Sequence, residues 1–150
     1  MKSNEGDQVV GRRESLHQAT IDLESALGAP VVDLTEWSGC VHEAAVALDA
    51  RIVAHSARSE APGEFLTTIS VEAPHLASSA RHLEEEHIDL TDRAAALVGL
   101  VDGISPHDPP TVAEDVRRKA EELLGLLERH LQRGTDLMFL AHNADLGSSG

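Results

Sequence analysis

Residues 73–101 read APHLASSARHLEEEHIDLTDRAAALVGLV. Two rows run through this stretch with one member every seven residues: Leu76, Leu83, Leu90 and Leu97 in the first, and Ala73, Ala80, His87, Ala94 and Val101 in the second. Adjacent rows with this repeat form one face of an α-helix that packs against other helices. Pro74 is compatible with the first turn of such a helix, where no backbone N–H is needed. The stretch therefore predicts a long helix with a buried seam.

Breakers at residues 28–30, 61–63 and 102–110 divide the remaining chain into similar pieces. Helical spacing of apolar residues predicts a first helix over Gln8 to Leu27, a second from Thr35 as N-cap, a short one over Glu64 to Val71, and a last long one after Pro110 with Thr111 as N-cap. Four long helices with short links predict an all-α fold, an up-down-up-down four-helix bundle over residues 8–146. Residues 1–7 and 147–150 are predicted to be flexible tails.

The composition limits the classes of function. The chain of 150 residues fits one domain, and its net charge of −14 disfavours binding to nucleic acid or to a membrane surface. No membrane span or signal peptide is recognisable, and the single cysteine, Cys40, excludes an internal disulfide. We therefore expect a cytoplasmic protein. Aromatic residues make up only 2% of the chain, yet it contains nine histidines, a surplus that needs an explanation.

Each long helix is predicted to direct one histidine into the bundle. His87 and His130 continue apolar rows of the third and last long helices, His55 continues the Val41–Leu48 row, and His17 lies at the margin of the first helix's apolar stripe. The remaining histidines are predicted on outer faces or in loops, except His142, whose face is ambiguous. Four inward imidazoles are suitable ligands for iron or zinc. Any one of these histidines could instead be a hydrogen-bonded core residue that binds no metal. Burying four imidazoles without partners, however, would cost considerable free energy.

These residues resemble the hemerythrin-like, or HHE cation-binding, family, in a divergent actinobacterial-type form. The resemblance covers nearly the whole chain and is carried by Ser15-Leu16-His17, the segment from Val53-Ala54-His55 to Glu60, Glu85-Glu86-His87, and residues 127–147, which begin Leu127-Glu128-Arg129-His130. The family's members are four-helix bundles in which inward histidines and carboxylates hold a non-haem di-iron centre. The resemblance thus implies an iron protein that binds dioxygen or a related small oxidant as a carrier, store or sensor.

The carboxylates depart from the family pattern, which usually has one four or five residues after the second and fourth histidines. Glu60 follows His55 at the fifth position, whereas Gly134 and Thr135 follow His130 and Asp136 comes only at the sixth. Glu60 is therefore the first candidate for a carboxylate ligand, with Glu86 and Asp136 behind it. Glu60 could reach the site if the second helix ends in a wider turn, and Asp136 if a π-bulge rotates it inward. A mononuclear centre, an altered centre and a site that has lost its metal remain alternatives.

Two other functions fit the same sequence. One is a di-iron oxidase or peroxide-consuming enzyme that uses the same centre, with no catalytic residue identifiable. The other is a metal-free helical interaction module, since the last helix carries apolar residues beyond its seam: Leu124, Leu131, Met138, Phe139 and Leu140. A helix that is apolar on more than one face is usually covered on more than one side, which fits a homodimer through this helix.

Overall fold

The chain is all-helical, as predicted. The computed structural model describes the backbone of residues 3–148 and the side chains of residues 15–143. This part of the chain contains no strand and has five α-helices: α1 (Ser3–Gly28), α2 (Leu34–Ser59), α3 (Phe65–Glu72), α4 (Ala77–Asp102) and α5 (Val112–Ser148). A 3₁₀ turn, Pro74–Leu76, precedes α4. None of the described helices is both long enough and apolar enough to cross a membrane.

The helix boundaries follow the turn-forming residues, with two differences at helix starts. Helix α2 begins at Leu34, and its N-cap is Asp33 rather than Thr35: the Asp33 Oδ1 atom accepts a hydrogen bond of 3.1 Å from the Glu36 backbone N–H. Asp caps a helix as well as Thr does, so the choice between them depends on where the turn ends. Helix α1 begins at Ser3, ahead of the predicted start at Gln8. Of the predicted tails, residues 1, 2, 149 and 150 lie outside the described backbone.

The core consists of two apolar clusters separated by a polar layer. The larger cluster joins α1, α2, α4 and α5 and includes Leu23, Leu48 and Leu90. The smaller one lies under α3 and contains Leu66, Ile69, Ala73, Leu76, Ala80, Leu83 and Leu137. On α4 the buried residue between Leu83 of the smaller cluster and Leu90 of the larger one is His87. The predicted seam of α4 is therefore buried, and a histidine lies where the two clusters meet.

At one end of the molecule, an arginine links the ends of neighbouring helices. Arg117, near the start of α5, donates hydrogen bonds of 2.9 Å to the Leu27 carbonyl and 3.1 Å to the Ala29 carbonyl, at the end of α1. Its guanidinium lies 5.4 Å from the ring centroid of Trp37, near the start of α2. At the same end, His42 Nε2 of α2 lies 3.7 Å from Asp102 Oδ1, the last residue of α4. These contacts bring the ends of α1 and α4 together with the starts of α2 and α5.

Replacing Arg117 by alanine is expected to lower the free energy of unfolding by about 1–3 kcal/mol, because two carbonyls lose a charged donor and Trp37 loses its cation–π contact. Arg118→Ala is the matched control, since Arg118 is exposed and forms its ion pair with Asp115, one turn away on the same helix. Such a pair contributes less than about 0.5 kcal/mol. Urea denaturation of both variants measures the difference, and equal losses in the two would contradict the bridging role of Arg117.

Candidate metal centre

Two of the predicted histidines are buried where the apolar rows place them. His87 and His130 each expose only 3% of their surface, on α4 and α5 respectively. His87 occupies the row between Ala80 and Ala94, and His130 follows Leu123 by seven residues, so packing of the seams carries both imidazoles into the interior. The prediction that these two histidines face inward is confirmed.

His55 of α2 completes a cluster of three imidazoles. Its ring centroid lies 5.4 Å from that of His87 and 5.5 Å from that of His130, and the last two rings are 4.7 Å apart. Each residue offers a nitrogen within 4.8 Å of the nitrogens of the other two. His55 is only partly buried, so this corner of the cluster is the one nearer to solvent. Residues far apart in sequence on three helices thus meet at one point.

The prediction that His17 faces the interior is wrong. Within residues 15–28 of α1, whose side chains the structure describes, Leu16, Ala19, Leu23 and Leu27 are buried, whereas His17 is exposed. The buried stripe continues on the Ala19 and Leu27 side of the Leu16–Leu23 row, and Ile21, one turn after His17, is also exposed. An adjacent residue on a helix is rotated by about 100°, so His17 is carried away from the three-histidine cluster.

Two of the three predicted carboxylates lie next to the cluster. Glu60 is the C-cap residue of α2, and Glu60 Oε2 lies 3.6 Å from His87 Nδ1. The helix ends at Ser59, so the backbone turn places Glu60 differently from a residue inside a regular helix. Glu86 Oε1 lies 3.6 Å from His130 Nδ1, and Glu86 Oε2 accepts a short hydrogen bond from Arg133. Each carboxylate thus faces a histidine of a different helix.

Asp136 does not join them, and the prediction that it turns inward is wrong. Its side chain is exposed, and its Oδ1 atom accepts a hydrogen bond of 3.0 Å from Gln132 on the same helix. Helix α5 is regular through this position, so no π-bulge rotates Asp136 toward the interior.

The two buried imidazoles are neutral at pH 7. Burial, reinforced by the nearby His130, lowers the pKa of His87 from 6.5 to about 4. Burial, then His55 and then Arg133, lowers the pKa of His130 to about 4 as well. Burial and the charge of Glu84 raise the pKa of Glu60. A neutral imidazole has a free lone pair, so His87 and His130 are in the protonation state that metal binding requires.

Among the described residues, several buried polar atoms at the cluster have no hydrogen-bond partner. They include His87 Nδ1, His130 Nδ1 and Glu86 Oε1. An unsatisfied buried polar group costs about 1–3 kcal/mol, so a cluster of them indicates a site built for something more than packing. In tetrahedral coordination at about 2.0–2.1 Å, ligating nitrogens are about 3.3 Å apart. The nitrogens of the three histidines lie within 4.8 Å of one another, so a bound ion would draw them closer together. The three histidines could therefore hold one metal ion.

No protein-family model matches this sequence, and no curated protein or solved structure is significantly similar to it. Any assignment of function therefore rests on the residues and their geometry. The hemerythrin-like resemblance stays an interpretation of the sequence motifs.

The sequence reasoning missed one participant, Arg133. It lies 47 residues from Glu86 along the chain and shares no motif with it, so only the packing of α4 on α5 shows their contact. It also missed Ser56, which is buried with no hydrogen-bond partner for its hydroxyl among the described residues. Ser56 lies one turn after Ile52 on the buried stripe, a spacing that could have revealed it.

Proposed function

We propose that this protein is an up-down-up-down four-helix bundle that holds a transition-metal ion on His55, His87 and His130. The contacts of Arg117 and His42 support this topology, because they join the ends of α1 and α4 to the starts of α2 and α5. The observation that carries the metal site is the convergence of three histidines from three helices, two of them buried and neutral. Bundle interiors commonly build metal sites from facing helices in this way.

Iron is the metal we propose, and a single ion is the number that the donor set favours. Imidazole is a suitable ligand for non-haem iron, and zinc also accepts three imidazoles. A di-iron centre in a carboxylate bundle uses a glutamate from each of several helices. Among the side chains of residues 15–143, the carboxylates beside these histidines are Glu60 and Glu86. The di-iron centre that the sequence resemblance implies is the alternative, and metal stoichiometry separates the two.

The role that fits such an iron site is the binding of dioxygen or a related small oxidant, as a carrier, store or sensor. Bound iron supplies electron-transfer chemistry toward such molecules. The chain contributes three imidazole ligands, which leave coordination positions open. It also contributes apolar clusters on both sides of the histidine layer, which exclude bulk water from His87 and His130. The partly buried His55 lies on the side from which a small molecule can approach.

Metal analysis of protein expressed with ample iron tests this proposal. We expect about one iron per chain for a three-histidine site, and near-ultraviolet absorption that changes on reduction and reoxidation. His130→Leu should bind no iron, whereas His17→Leu should bind as much as the unsubstituted protein, because His17 is exposed. Two irons per chain would favour the di-iron alternative. A well-folded protein without metal, after offering Fe²⁺ and Zn²⁺, would contradict the site.

An enzymatic function would use the same centre and requires turnover. Loss of peroxide consumption in His130→Leu, with folding retained and with His17→Leu unaffected, would establish an enzyme rather than a carrier. Equal rates in both variants would assign any peroxide consumption to something other than this site.

An interaction module is the second candidate function, and exposed apolar residues on α5 favour it. Phe139 exposes 65% of its surface, and its neighbours Met138 and Leu140 are also exposed. Because consecutive helical residues point about 100° apart, these three side chains spread apolar surface around α5. Exposed apolar surface is often covered by protein partners. Sedimentation equilibrium of the unsubstituted protein and of Phe139→Ser tests whether a second copy covers it. A concentration-dependent dimer lost in the variant is the expected result for self-association.

A further inference from the structure

Each of the two carboxylates beside the histidine cluster approaches the Nδ1 atom of a histidine ring. Glu60 Oε2 lies 3.6 Å from the Nδ1 atom of His87, and Glu86 Oε1 lies 3.6 Å from the Nδ1 atom of His130. In each pair the carboxylate and the histidine come from different helices: α2 with α4, and α4 with α5. A carboxylate that faces the Nδ1 atom of a histidine on another helix therefore occurs twice around this cluster.

Burial leaves each Nδ1 atom with one nearby acceptor. The Nδ1 atoms of His87 and His130 and the Oε1 atom of Glu86 are all buried without a hydrogen bond. A shift of a few tenths of an ångström would bring each pair within hydrogen-bond distance, and bonds to a charged acceptor are the stronger kind. If each Nδ1 atom carries the ring's proton, it can donate a hydrogen bond to the carboxylate beside it, and both groups then have a partner.

A proton on Nδ1 decides what the other nitrogen can do. Neutral imidazole carries one N–H and one lone pair, so an Nδ1–H that donates to a carboxylate leaves the lone pair on Nε2. Ligating histidines in metal sites commonly donate their other N–H to a carboxylate, which fixes the ring orientation and makes the ligand more basic. The geometry around His87 and His130 matches this arrangement.

We propose that Glu60 and Glu86 are positioning residues that accept hydrogen bonds from Nδ1–H of His87 and His130 and so direct Nε2 of each ring to the metal ion. This inference rests on the proposed metal site. It differs from the sequence-based prediction, in which the carboxylates bind the metal themselves.

Arg133 fixes the orientation of one of these carboxylates. Glu86 has two oxygens with different partners: Oε2 accepts the hydrogen bond from Arg133, and Oε1 faces His130. The glutamate side chain is 17% exposed, whereas Glu60 is 39% exposed. Because Glu86 is more buried and already held, its interaction with His130 costs less side-chain entropy. Glu86 should therefore contribute more to metal affinity than Glu60.

The test uses Zn²⁺ and Co²⁺ as probes, with affinities measured by competition titration. Glu86→Gln is expected to weaken binding by about 10–100-fold, the usual effect of removing such a partner, and Glu60→Gln by less. Glu85→Gln is the matched control, because Glu85 is exposed and faces His82 rather than the cluster. It should leave the affinity unchanged. Equal affinities in all four proteins would overturn the inference.

Nitrogen chemical shifts of the histidine rings give a readout that loss of structure alone would not produce. In the Zn²⁺-loaded, ¹⁵N-labelled protein, long-range ¹H–¹⁵N correlation should show protonated Nδ1 and metal-bound Nε2 for His87 and His130. Metal-bound Nδ1 in these residues would contradict the positioning role while leaving the metal site intact. Failure of the unsubstituted protein to bind either ion would instead contradict the metal site itself.

Discussion

His87→Leu is expected to stabilise the metal-free protein and, in the same variant, to abolish stabilisation by metal. The gain in the metal-free form should be about 1 kcal/mol. The imidazole is 3% exposed and its Nδ1 atom has no hydrogen bond. An apolar side chain removes that cost, typically about 1–3 kcal/mol, against a smaller penalty of about 1 kcal/mol for the change of shape.

The stability that His87→Leu loses in the presence of metal is larger than the stability that it gains without metal. An ion that binds only the folded state stabilises it by about 4 kcal/mol when its free concentration is a thousand times the dissociation constant. The unsubstituted protein should therefore melt at a higher temperature with metal and return to its lower value with a chelator. His87→Leu should show one melting temperature under both conditions. A substitution that stabilises the metal-free protein but abolishes stabilisation by metal identifies His87 as a residue retained for metal binding rather than for stability.

Thermal and urea denaturation, each with metal and with chelator, measure both effects. His82→Leu is the matched control, since His82 lies on the same helix and its side chain is 74% exposed. That variant should keep the full metal response. A metal-free His87→Leu protein destabilised by more than about 2 kcal/mol would show that His87 supports the core as a polar residue. A retained metal response would show that the ion binds elsewhere.

The sequence predicts the burial of residues whose position follows from a periodic row. His87 and His130 occupy rows that repeat every seven residues over most of their helices, so their burial follows from the packing that buries the leucines. His17 lies on a margin, where the sequence does not determine which side of the row is covered. There the packing of α1 on the other helices decides, and it buries Ala19 and Leu27 instead. Periodicity therefore identifies the centre of a helix face more reliably than its edges.

The carboxylates depend on features that periodicity does not contain. Glu60 reaches His87 because α2 ends just before it, and helix ends are set by local turn geometry. Glu86 faces His130 rather than solvent because Arg133 of another helix binds its second oxygen. Sequence reasoning could select both glutamates as candidates, but which atom of which histidine each one approaches follows only from the packed structure.

The metal-free protein is expected to lose stability as the pH falls from about 6.5 toward 4. The folded-state pKa values of His87 and His130 are lowered to about 4 from 6.5. Between these values the unfolded chain takes up protons that the folded protein does not. Stability therefore falls with falling pH through this window and is unaffected by these two groups above it. Each pKa unit corresponds to about 1.4 kcal/mol, so the two histidines together should cost several kcal/mol at pH 4.

Other ionisable groups surround the cluster, and a variant separates their effects from those of the two histidines. His55, Glu60, Glu86 and Arg133 face the two histidines from α2, α4 and α5. The double variant His87→Leu/His130→Leu keeps all four and should show a flatter fall in stability between pH 6.5 and 5, above the range where most carboxylates protonate. Urea denaturation across that window measures both slopes. Parallel slopes in the two proteins would show that the histidines do not control the acid response. In the unsubstituted protein, bound metal should extend the decline below pH 4, because an ion on these nitrogens keeps protons off the folded protein to lower pH.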